Sequence, residues 1–272
     1  MTRRLRRLAL AALLALTMTG VGAQTIEAMV SPTTVLVREG SAARMVSLPG
    51  KPILYCGLDP FLGWSARLIG AALRLEPGKE PEVEAHGQRL ALTVLLARDG
   101  WLRPERLDDG AQVALVERRG GWACAPKVEA FAQMGTKVDP RILAGIAMNE
   151  SAYRGRPWPW TLNVAGRGMF FATREEAHAT IERLLDARRC DFDVGIMQIN
   201  WCYHGKRFAS AWDALSPATS IGVAEAILID NLQRSGSAMK AVAWYHSANP
   251  ARGGPYFARF LNHFQQLKAP QP

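Results

Sequence analysis

The segment VDPRILAGIAMNESAY, residues 138–153, has the pattern of an amphipathic helix that carries an acid at its end. Asp139 can cap the helix and Pro140 suits its first position. Apolar residues then recur at helical spacing: Ile142, Leu143, Ile146 and Ala147. The pattern places Glu150 at the end of the helix, beside apolar neighbours.

A carboxyl group that loses hydration among apolar side chains keeps its proton to higher pH, so its pKa rises. A general acid needs such a pKa. A surface glutamate near a helix end would give the same local pattern, so this segment by itself supports both interpretations.

A second stretch, CDFDVGIMQIN, residues 190–200, combines a glycine, a thioether and two primary amides. Gln198 and Asn200 offer donors and acceptors two residues apart, which is suited to holding a polar group. Asp191 and Asp193 are the acids nearest to this motif. Their close spacing in a predicted loop makes them poor partners for Glu150.

The rest of the second half is mostly helical in pattern. Residues 161–173 hold two short apolar runs around a Gly-Arg-Gly turn, which predicts a hairpin. A capping box from Thr173 to Glu176 opens the next helix. Further helices are predicted within residues 216–236, within 237–246 and after Pro255.

The first half is β-rich in pattern, with alternating β-branched stretches such as TTVLVREG, residues 33–40. Residues 91–102 are predicted as a strand that ends in an Asp-Gly turn. The one predicted helix lies within residues 63–78. The expected fold class is therefore α+β, with a β-rich domain over residues 24–125 followed by a mainly α-helical domain over residues 126–272.

Length and composition agree with two folded units: the chain has 272 residues, of which 49% are hydrophobic and 21% charged. Residues 1–23 have a basic start, a short apolar middle and a small-residue ending, which predicts an export signal cleaved before Gln24. If the signal were not cleaved, it would remain as a membrane anchor, and we expect no other membrane contact.

The chain is basic. Loss of the signal removes four arginines (Arg3, Arg4, Arg6 and Arg7) from the formal charge of +9 and leaves +5. Such a charge suits polyanions, and export favours anionic polymers of the cell envelope over nucleic acid. Solubility alone would also account for it.

Cys56, Cys124, Cys190 and Cys202 form an even set, which favours disulfides in an exported chain. Four cysteines allow three pairings. Because two fall in each half, we favour Cys56 with Cys124 and Cys190 with Cys202. The spacings match no zinc site, and the sequence lacks a phosphate loop, so we predict neither a metal nor a cofactor.

Three motifs follow one another: NES at Glu150, GIMQIN about 45 residues later, and AWYHS about 45 residues further on. Their order and spacing resemble the signature of the soluble lytic transglycosylases, which belong to the lysozyme-like superfamily. The resemblance covers residues 126–266. It implies a lysozyme-like helical domain with a cleft and the glycan strands of peptidoglycan as substrate. The export signal predicts the periplasm as the location.

Carried over by position, the resemblance makes Glu150 the catalytic acid and then base. Ser151 would orient the acid or the substrate, and the cleft wall and sugar contacts would come from Gly195, Ile196, Met197, Gln198 and Asn200. Tyr245 matches the tyrosine of the third motif, and Tyr256 matches a later one. His246 departs from the family, which commonly has asparagine there.

The resemblance also implies a mechanism. Ordinary glycosidases use two carboxyl groups, whereas transglycosylases of this family use one glutamate and the substrate's own groups to give 1,6-anhydromuramoyl ends. Two alternatives remain open: a muramidase that uses water, and a wall-binding or assembly protein with an inactive cleft.

Aromatic rings stack on the apolar faces of sugars. Trp158 and Trp160 lie in PWPWTLN, where the prolines exclude regular helix, and are the best candidates for exposed rings. Enzymes of this kind often serve secretion, conjugation or pilus machinery, which implies such a partner here.

In the first half, Gly57, Leu58 and Asp59 resemble the turn of the staphylococcal nuclease-like β-barrel. Pro60 follows the acid directly instead of one residue later, and no catalytic arginines can be assigned. The resemblance implies a barrel-like binding or spacing module, and an unrelated small β domain is the alternative.

Overall fold

The computed structural model describes residues 24–85, 87–134 and 137–267. The predicted export signal, residues 1–23, lies outside these ranges. Within them, no helix has the length and apolar character needed to cross a membrane. The described chain is mixed α+β.

The strands of the first half are short and fall into separate antiparallel sheets. They are β1 (Gln24–Ser31), β2 (Thr34–Glu39), β3 (Ala42–Ser47), β4 (Lys51–Pro52), β5 (Leu73–Arg74), β6 (Glu82–Ala85), β7 (Gln88–Ala91) and β8 (Leu102–Arg103). The sheet orders are β1-β2-β3, β5-β6-β7 and β4-β8. In β2 the alternate residues Val35 and Val37 point inward, and Val37 pairs with Ile26 of β1, which is also buried.

Helices in this half are α1 (Asp59–Ser65), α2 (Leu92–Arg98) and α3 (Asp109–Val116). The predicted strand over residues 91–102 is wrong, since α2 occupies most of it. The predicted helix within residues 63–78 is also largely wrong, because α1 begins earlier and a 3₁₀ turn at Ala66–Leu68 ends it. Most of α2 is buried, and only Val94 and Arg98 are not, so the apolar run has no clear period in sequence. The buried residues are Leu92, Thr93, Leu95, Leu96 and Ala97.

The expected barrel is absent from the described residues, where no sheet closes on itself. The strands of this half are short and are divided among three separate sheets of two or three strands each. The strands of the first half cover a small apolar core formed by residues between Ile26 and Leu102.

The second half contains most of the helices and one four-stranded sheet. Its helices are α4 (Glu129–Gln133), α5 (Pro140–Ser151), α6 (Arg174–Asp186), α7 (Trp201–His204), α8 (Ala211–Ala214), α9 (Pro217–Ser235), α10 (Ala238–His246) and α11 (Pro250–Gln265). Its strands are β9 (Ala152–Tyr153), β10 (Arg156–Pro157), β11 (Thr161–Val164), β12 (Arg167–Phe170), β13 (Phe192–Val194) and β14 (Ile199–Asn200). The four-stranded sheet has the order β12-β11-β13-β14.

The predicted hairpin is confirmed as β11 and β12, although its turn is at Ala165 and Gly166. The capping box is confirmed in part. Thr173 accepts from the backbone N–H of Glu176, whereas the Glu176 carboxylate accepts from that of Ala172. The last helix begins before Pro255: Asn249 caps α11 at Pro250, and Pro255 lies inside the helix.

The larger core draws on both halves of the chain. Ala114, Leu115 and Val116 of α3 pack into the same apolar cluster as α5 and α9. Gln112 in α3 accepts hydrogen bonds from the Ser216 hydroxyl and the Ala218 backbone, both at 3.1 Å. The core of the helical part therefore includes chain that lies before residue 126.

Both disulfides have the pairing that the sequence favours. Cys56 is bonded to Cys124, and Cys190 is bonded to Cys202. The second bond closes a short loop that contains β13 and β14, with its cysteines 12 positions apart. It therefore fixes the ends of the segment that holds Gln198.

Candidate active site

The acid of the site lies at the end of α5. Asp139 caps this helix by accepting from the Arg141 backbone, and Pro140 occupies its first turn, as predicted. One face of α5 is buried in the larger core through Leu143, Ala144, Ile146 and Ala147. Glu150 is the penultimate residue of the helix and keeps partial contact with solvent.

The surroundings of Glu150 favour its neutral form. Burial raises the pKa of this carboxyl group from its usual 4.5 to about 7. The Tyr256 hydroxyl lowers this pKa, the negative charge of Asp193 raises it, and the positive charge of Arg259 lowers it. Burial has the largest effect, so a substantial fraction of Glu150 is protonated at neutral pH.

The segment from Gly195 to Gln198, here the 195–198 loop, is bound to the end of α5. The Ser151 hydroxyl is buried and donates to the Ile196 carbonyl, with a distance of 2.6 Å between the oxygens. Tyr245 of α10 donates from its hydroxyl to the Met197 carbonyl at 2.9 Å. These bonds bring together the three motifs that the sequence analysis singled out.

Two tyrosines and a histidine complete the surroundings of the acid. Burial raises the pKa of both Tyr245 and Tyr256 well above the usual value of 10.0, and the charge of Glu150 raises each further. Tyr256 is buried, and its hydroxyl lies beside Glu150 without a hydrogen bond of good geometry to any described residue. His246 stacks on the Tyr256 ring, with 5.0 Å between the centroids. Because His246 is exposed, the site reaches the surface there.

Asp193 is a second acid of the site, which the sequence analysis set aside. Burial raises its pKa, while the Asn200 side chain and the charge of His246 oppose that rise. Asn200 Nδ2 donates to Asp193 Oδ1 at 2.8 Å, across the paired strands β13 and β14. Phe192 and Val194 are buried, so Asp193 projects from the opposite face of β13. The apolar-acid-apolar alternation of FDV is the sequence signal that could have identified it.

Positive charge also faces the site from α11. Arg252 and Arg259 both lower the pKa of His246, after burial, which has the largest effect. They lie four residues before and three after Tyr256, so helical spacing puts them on its face of α11. Neither arginine was predicted for the site, because the helix was expected to begin only after Pro255, which left Arg252 outside it.

An aromatic cluster lies just beyond the end of α5. Tyr153 stacks on Phe170 with 4.7 Å between ring centroids and meets Trp158 edge to face. Phe170 is exposed, whereas Trp158 and Trp160 are only partly exposed. Trp160 packs against the larger core, so Phe170 and Tyr153 are better placed than Trp160 to contact a ligand.

Several residues that were predicted to contact substrate have structural roles. Met197 and Ser151 are buried, and Gly195 faces the Ala214 carbonyl, which a Cβ atom would approach to 2.6 Å. Position 195 therefore requires glycine, because its φ is 77° and because a Cβ atom there would collide with the Ala214 carbonyl. Asn200 caps α7 at Tyr203 in addition to binding Asp193.

Gln198 retains one polar atom for a ligand. Its Nε2 donates to the carbonyls of Gly195 at 2.9 Å and Thr161 at 3.2 Å. The residue has a φ of 46°, a left-handed conformation that is uncommon outside glycine. The loop therefore holds the amide in a fixed direction, and its carbonyl oxygen is the group that can accept from a ligand.

Glu150 can donate a proton beside a second acid, Asp193, which is partly buried. The arginines of α11 and the aromatic rings lie at the margin of the site. Within residues 24–85, 87–134 and 137–267, no group of three or more His, Cys, Asp or Glu side chains could hold a metal ion. Comparison of the chain with protein-family models, with curated proteins and with solved structures finds no match.

Proposed function

We propose that the protein is an exported peptidoglycan lytic transglycosylase whose second half is a lysozyme-like domain. The observation that carries the proposal is the position of Glu150, half-buried at the helix end that the loop of Gln198 and the tyrosine of the third motif also meet. Burial there raises the pKa of Glu150 to about 7. A protonated carboxyl group so placed is the general acid that glycoside cleavage requires.

In the proposed reaction, Glu150 donates its proton to the oxygen that links N-acetylmuramic acid to N-acetylglucosamine. The bond between that oxygen and C1 of N-acetylmuramic acid then breaks. The N-acetyl group of muramic acid assists this departure. The 6-hydroxyl of the same sugar then bonds to C1, and Glu150 takes the proton of that hydroxyl. The ring closes as a 1,6-anhydro end, water is not consumed, and Glu150 regains its proton.

The margin of the site suits this substrate. Peptidoglycan carries carboxylates on its lactyl and peptide groups, and Arg252, Arg259 and His246 lie at the side of the site that reaches the surface. Tyr153 and Phe170 offer rings for the apolar faces of sugars. The Gln198 carbonyl can accept from a sugar hydroxyl or an acetamido N–H.

Export to the periplasm is part of the proposal. The basic, apolar and small-residue pattern of residues 1–23 supports it, and two disulfides suit an oxidising compartment. Local opening of the wall for a secretion, conjugation or pilus assembly is the role we propose for such an enzyme, with that machinery as its partner.

A second candidate is favoured by Asp193. Two carboxyl groups in one site allow a hydrolytic muramidase, in which Asp193 would activate water or stabilise the positive charge on C1. The negative charge of Asp193 raises the pKa of Glu150, which supports a pairing of the two acids. We rank this second, because burial raises the pKa of Asp193 and hydrogen bonding to Asn200 occupies one of its oxygens.

Mass spectrometry of the fragments released from purified peptidoglycan sacculi tests the proposal. A transglycosylase gives products one water lighter than those of a muramidase. We expect Glu150→Gln to slow the release of fragments at least about 100-fold while wall binding is retained. The control Glu84→Gln, at an exposed glutamate of β6, should release fragments at the wild-type rate. Hydrated ends would establish the muramidase, and equal release by Glu150→Gln would exclude Glu150 as the acid.

A further inference from the structure

A cavity of about 140 Å³ lies between α3, α4, α5 and the end of α11, away from Glu150. Its wall is mainly apolar and includes Val116, Trp122, Ala130, Phe131, Ala144 and Met148. An engineered protein cavity of about 150 Å³ binds benzene, so this volume suits one six-membered ring.

Cations gather at the same cavity. Arg118, Lys127 and Arg156 line it, together with a single carboxylate, Glu129. Glu129 accepts a hydrogen bond from the Gln133 side chain, and its one negative charge leaves these four residues with an excess of two positive charges. Within the part of the chain that the structure describes, none of the three cations has a carboxylate partner.

The two arginines are held in place by backbone carbonyls. Arg118 Nη2 donates to the carbonyls of Ala123 at 2.7 Å and Ala125 at 2.6 Å, and the residue adopts a φ of 58°. Arg156 Nη1 donates to the Glu117 carbonyl at 2.8 Å, while its Nε is buried without an acceptor among the described residues. Burial also lowers the pKa of Arg118, which indicates a poorly hydrated positive charge.

These features specify a ligand with two parts. An apolar ring matches the wall, and an anion matches two fixed, partly dehydrated guanidinium groups, which bind carboxylates by charge-assisted hydrogen bonds. A neutral apolar molecule would leave the charges uncompensated, whereas a purely inorganic anion would leave the apolar wall uncovered.

We propose that this cavity is a binding site for an aromatic monocarboxylate, with the ring against Phe131 and Met148 and the carboxylate between Arg118 and Arg156. Met148 lies two positions before Glu150, or roughly 200° around the axis of α5. The ligand would therefore bind behind the helix that carries the acid, and the site is separate from the proposed glycan site.

Isothermal titration calorimetry of the full chain with phenylacetate and with its neutral analogue phenylacetamide tests this site. We expect one phenylacetate per chain, and binding of the amide at least about tenfold weaker because it lacks the charge. Bound phenylacetate should also raise the melting temperature, since it binds the folded chain.

Arg118→Gln should weaken phenylacetate binding about tenfold, whereas Arg89→Gln, at an exposed position of β7, should not change it. Ala130→Leu, which fills the cavity, should remove binding and retain a cooperative thermal transition. The proposal is overturned if phenylacetate does not bind, if acid and amide bind equally, or if Arg118→Gln and Arg89→Gln bind alike. Because Glu150 takes no part in this binding, these outcomes leave the proposed glycan cleavage to be judged separately.

Discussion

The carboxyl group of Glu150 is held where its neutral form is preferred, and this has a cost for the folded chain. Its pKa of about 7 in the folded state exceeds the usual 4.5. The stabilisation linked to its proton is therefore complete below about pH 4.5 and is lost as the pH rises through about 7. Above that pH the folded chain must hold a poorly hydrated charge.

Glu150→Gln should accordingly stabilise the protein at alkaline pH. We expect its free energy of unfolding at pH 8 to exceed that of the wild type by about 1 to 3 kcal/mol, with a smaller difference at pH 5. Urea denaturation at both values of pH measures this. Glu84→Gln, at an exposed position, serves as control. A gain that is no larger at pH 8 than at pH 5 would contradict the raised pKa.

Neighbours of Glu150 should shift its titration in opposite directions. Tyr256→Phe removes a hydroxyl that lowers the pKa of Glu150, so the alkaline decline of cleavage should move to higher pH. Asp193→Asn removes a negative charge that raises this pKa, so the decline should move to lower pH. Initial rates of sacculus digestion between pH 5 and 9 measure both, and a shift of both variants in the same direction would count against the arrangement.

Individual site residues differed in how far the sequence could predict them. Glu150 was predictable, because helical periodicity alone places it at the end of α5. Asp193 was predictable only in part. The alternation in FDV places it on the open face of a strand, but its position in the site depends on the pairing of β13 with β14, which only the folded chain shows. Met197 matched a motif, yet its side chain is buried and its carbonyl accepts a hydrogen bond from Tyr245.

At the scale of elements, the join between α5 and the 195–198 loop sets the geometry of the site. Ser151 makes this join within the core, where water cannot replace its hydrogen bond to the Ile196 carbonyl. Movement of the loop would displace Gln198 relative to the end of α5 and would also disturb Tyr245, which donates to the same loop.

Ser151→Ala should therefore destabilise the fold by about 1 to 3 kcal/mol, since it leaves a buried carbonyl without its donor. Ser41→Ala, at an exposed serine, is the matched control and should change stability little. Urea denaturation of both variants provides the comparison. Equal stability of the two would mean that the loop does not depend on Ser151.

Element types were predictable where a clear period or cap was present, as in α5, α6 and the β11–β12 hairpin. They were not predictable in residues 91–102, where a short apolar run suits a buried helix as well as a strand. The start of α11 was misplaced because Pro255 was read as its first turn. Asn249 and Pro250 provide the actual start, and the buried Tyr256 and Phe260 hold the helix past Pro255.

At the scale of the whole molecule, the two halves share more structure than a boundary at residue 126 implies. The helix α3 packs in the larger core, and its Gln112 accepts hydrogen bonds from the start of α9. Composition changes near residue 126, but burial depends on contacts far apart in sequence, which composition does not reveal.

A fragment of residues 104–272 should therefore fold, whereas a fragment of residues 126–272 should not. The longer fragment, with Cys124→Ser because its partner Cys56 is removed, keeps α3 and Trp122 in the core. We expect a cooperative thermal transition by circular dichroism only for the longer fragment. Equally cooperative transitions in both would show that α3 is dispensable.

The proposed chemistry requires Glu150 to hold a proton at neutral pH, and a titration of that carboxyl group tests this requirement. Protein labelled with carbon-13 at the side-chain carboxyls of glutamate is followed by nuclear magnetic resonance from pH 3 to 9, and the Glu150 signal is assigned by its absence from Glu150→Gln. We predict a midpoint near 7 for this signal. A midpoint near the ordinary 4.5 would contradict the account, because Glu150 would then hold no proton to donate at neutral pH.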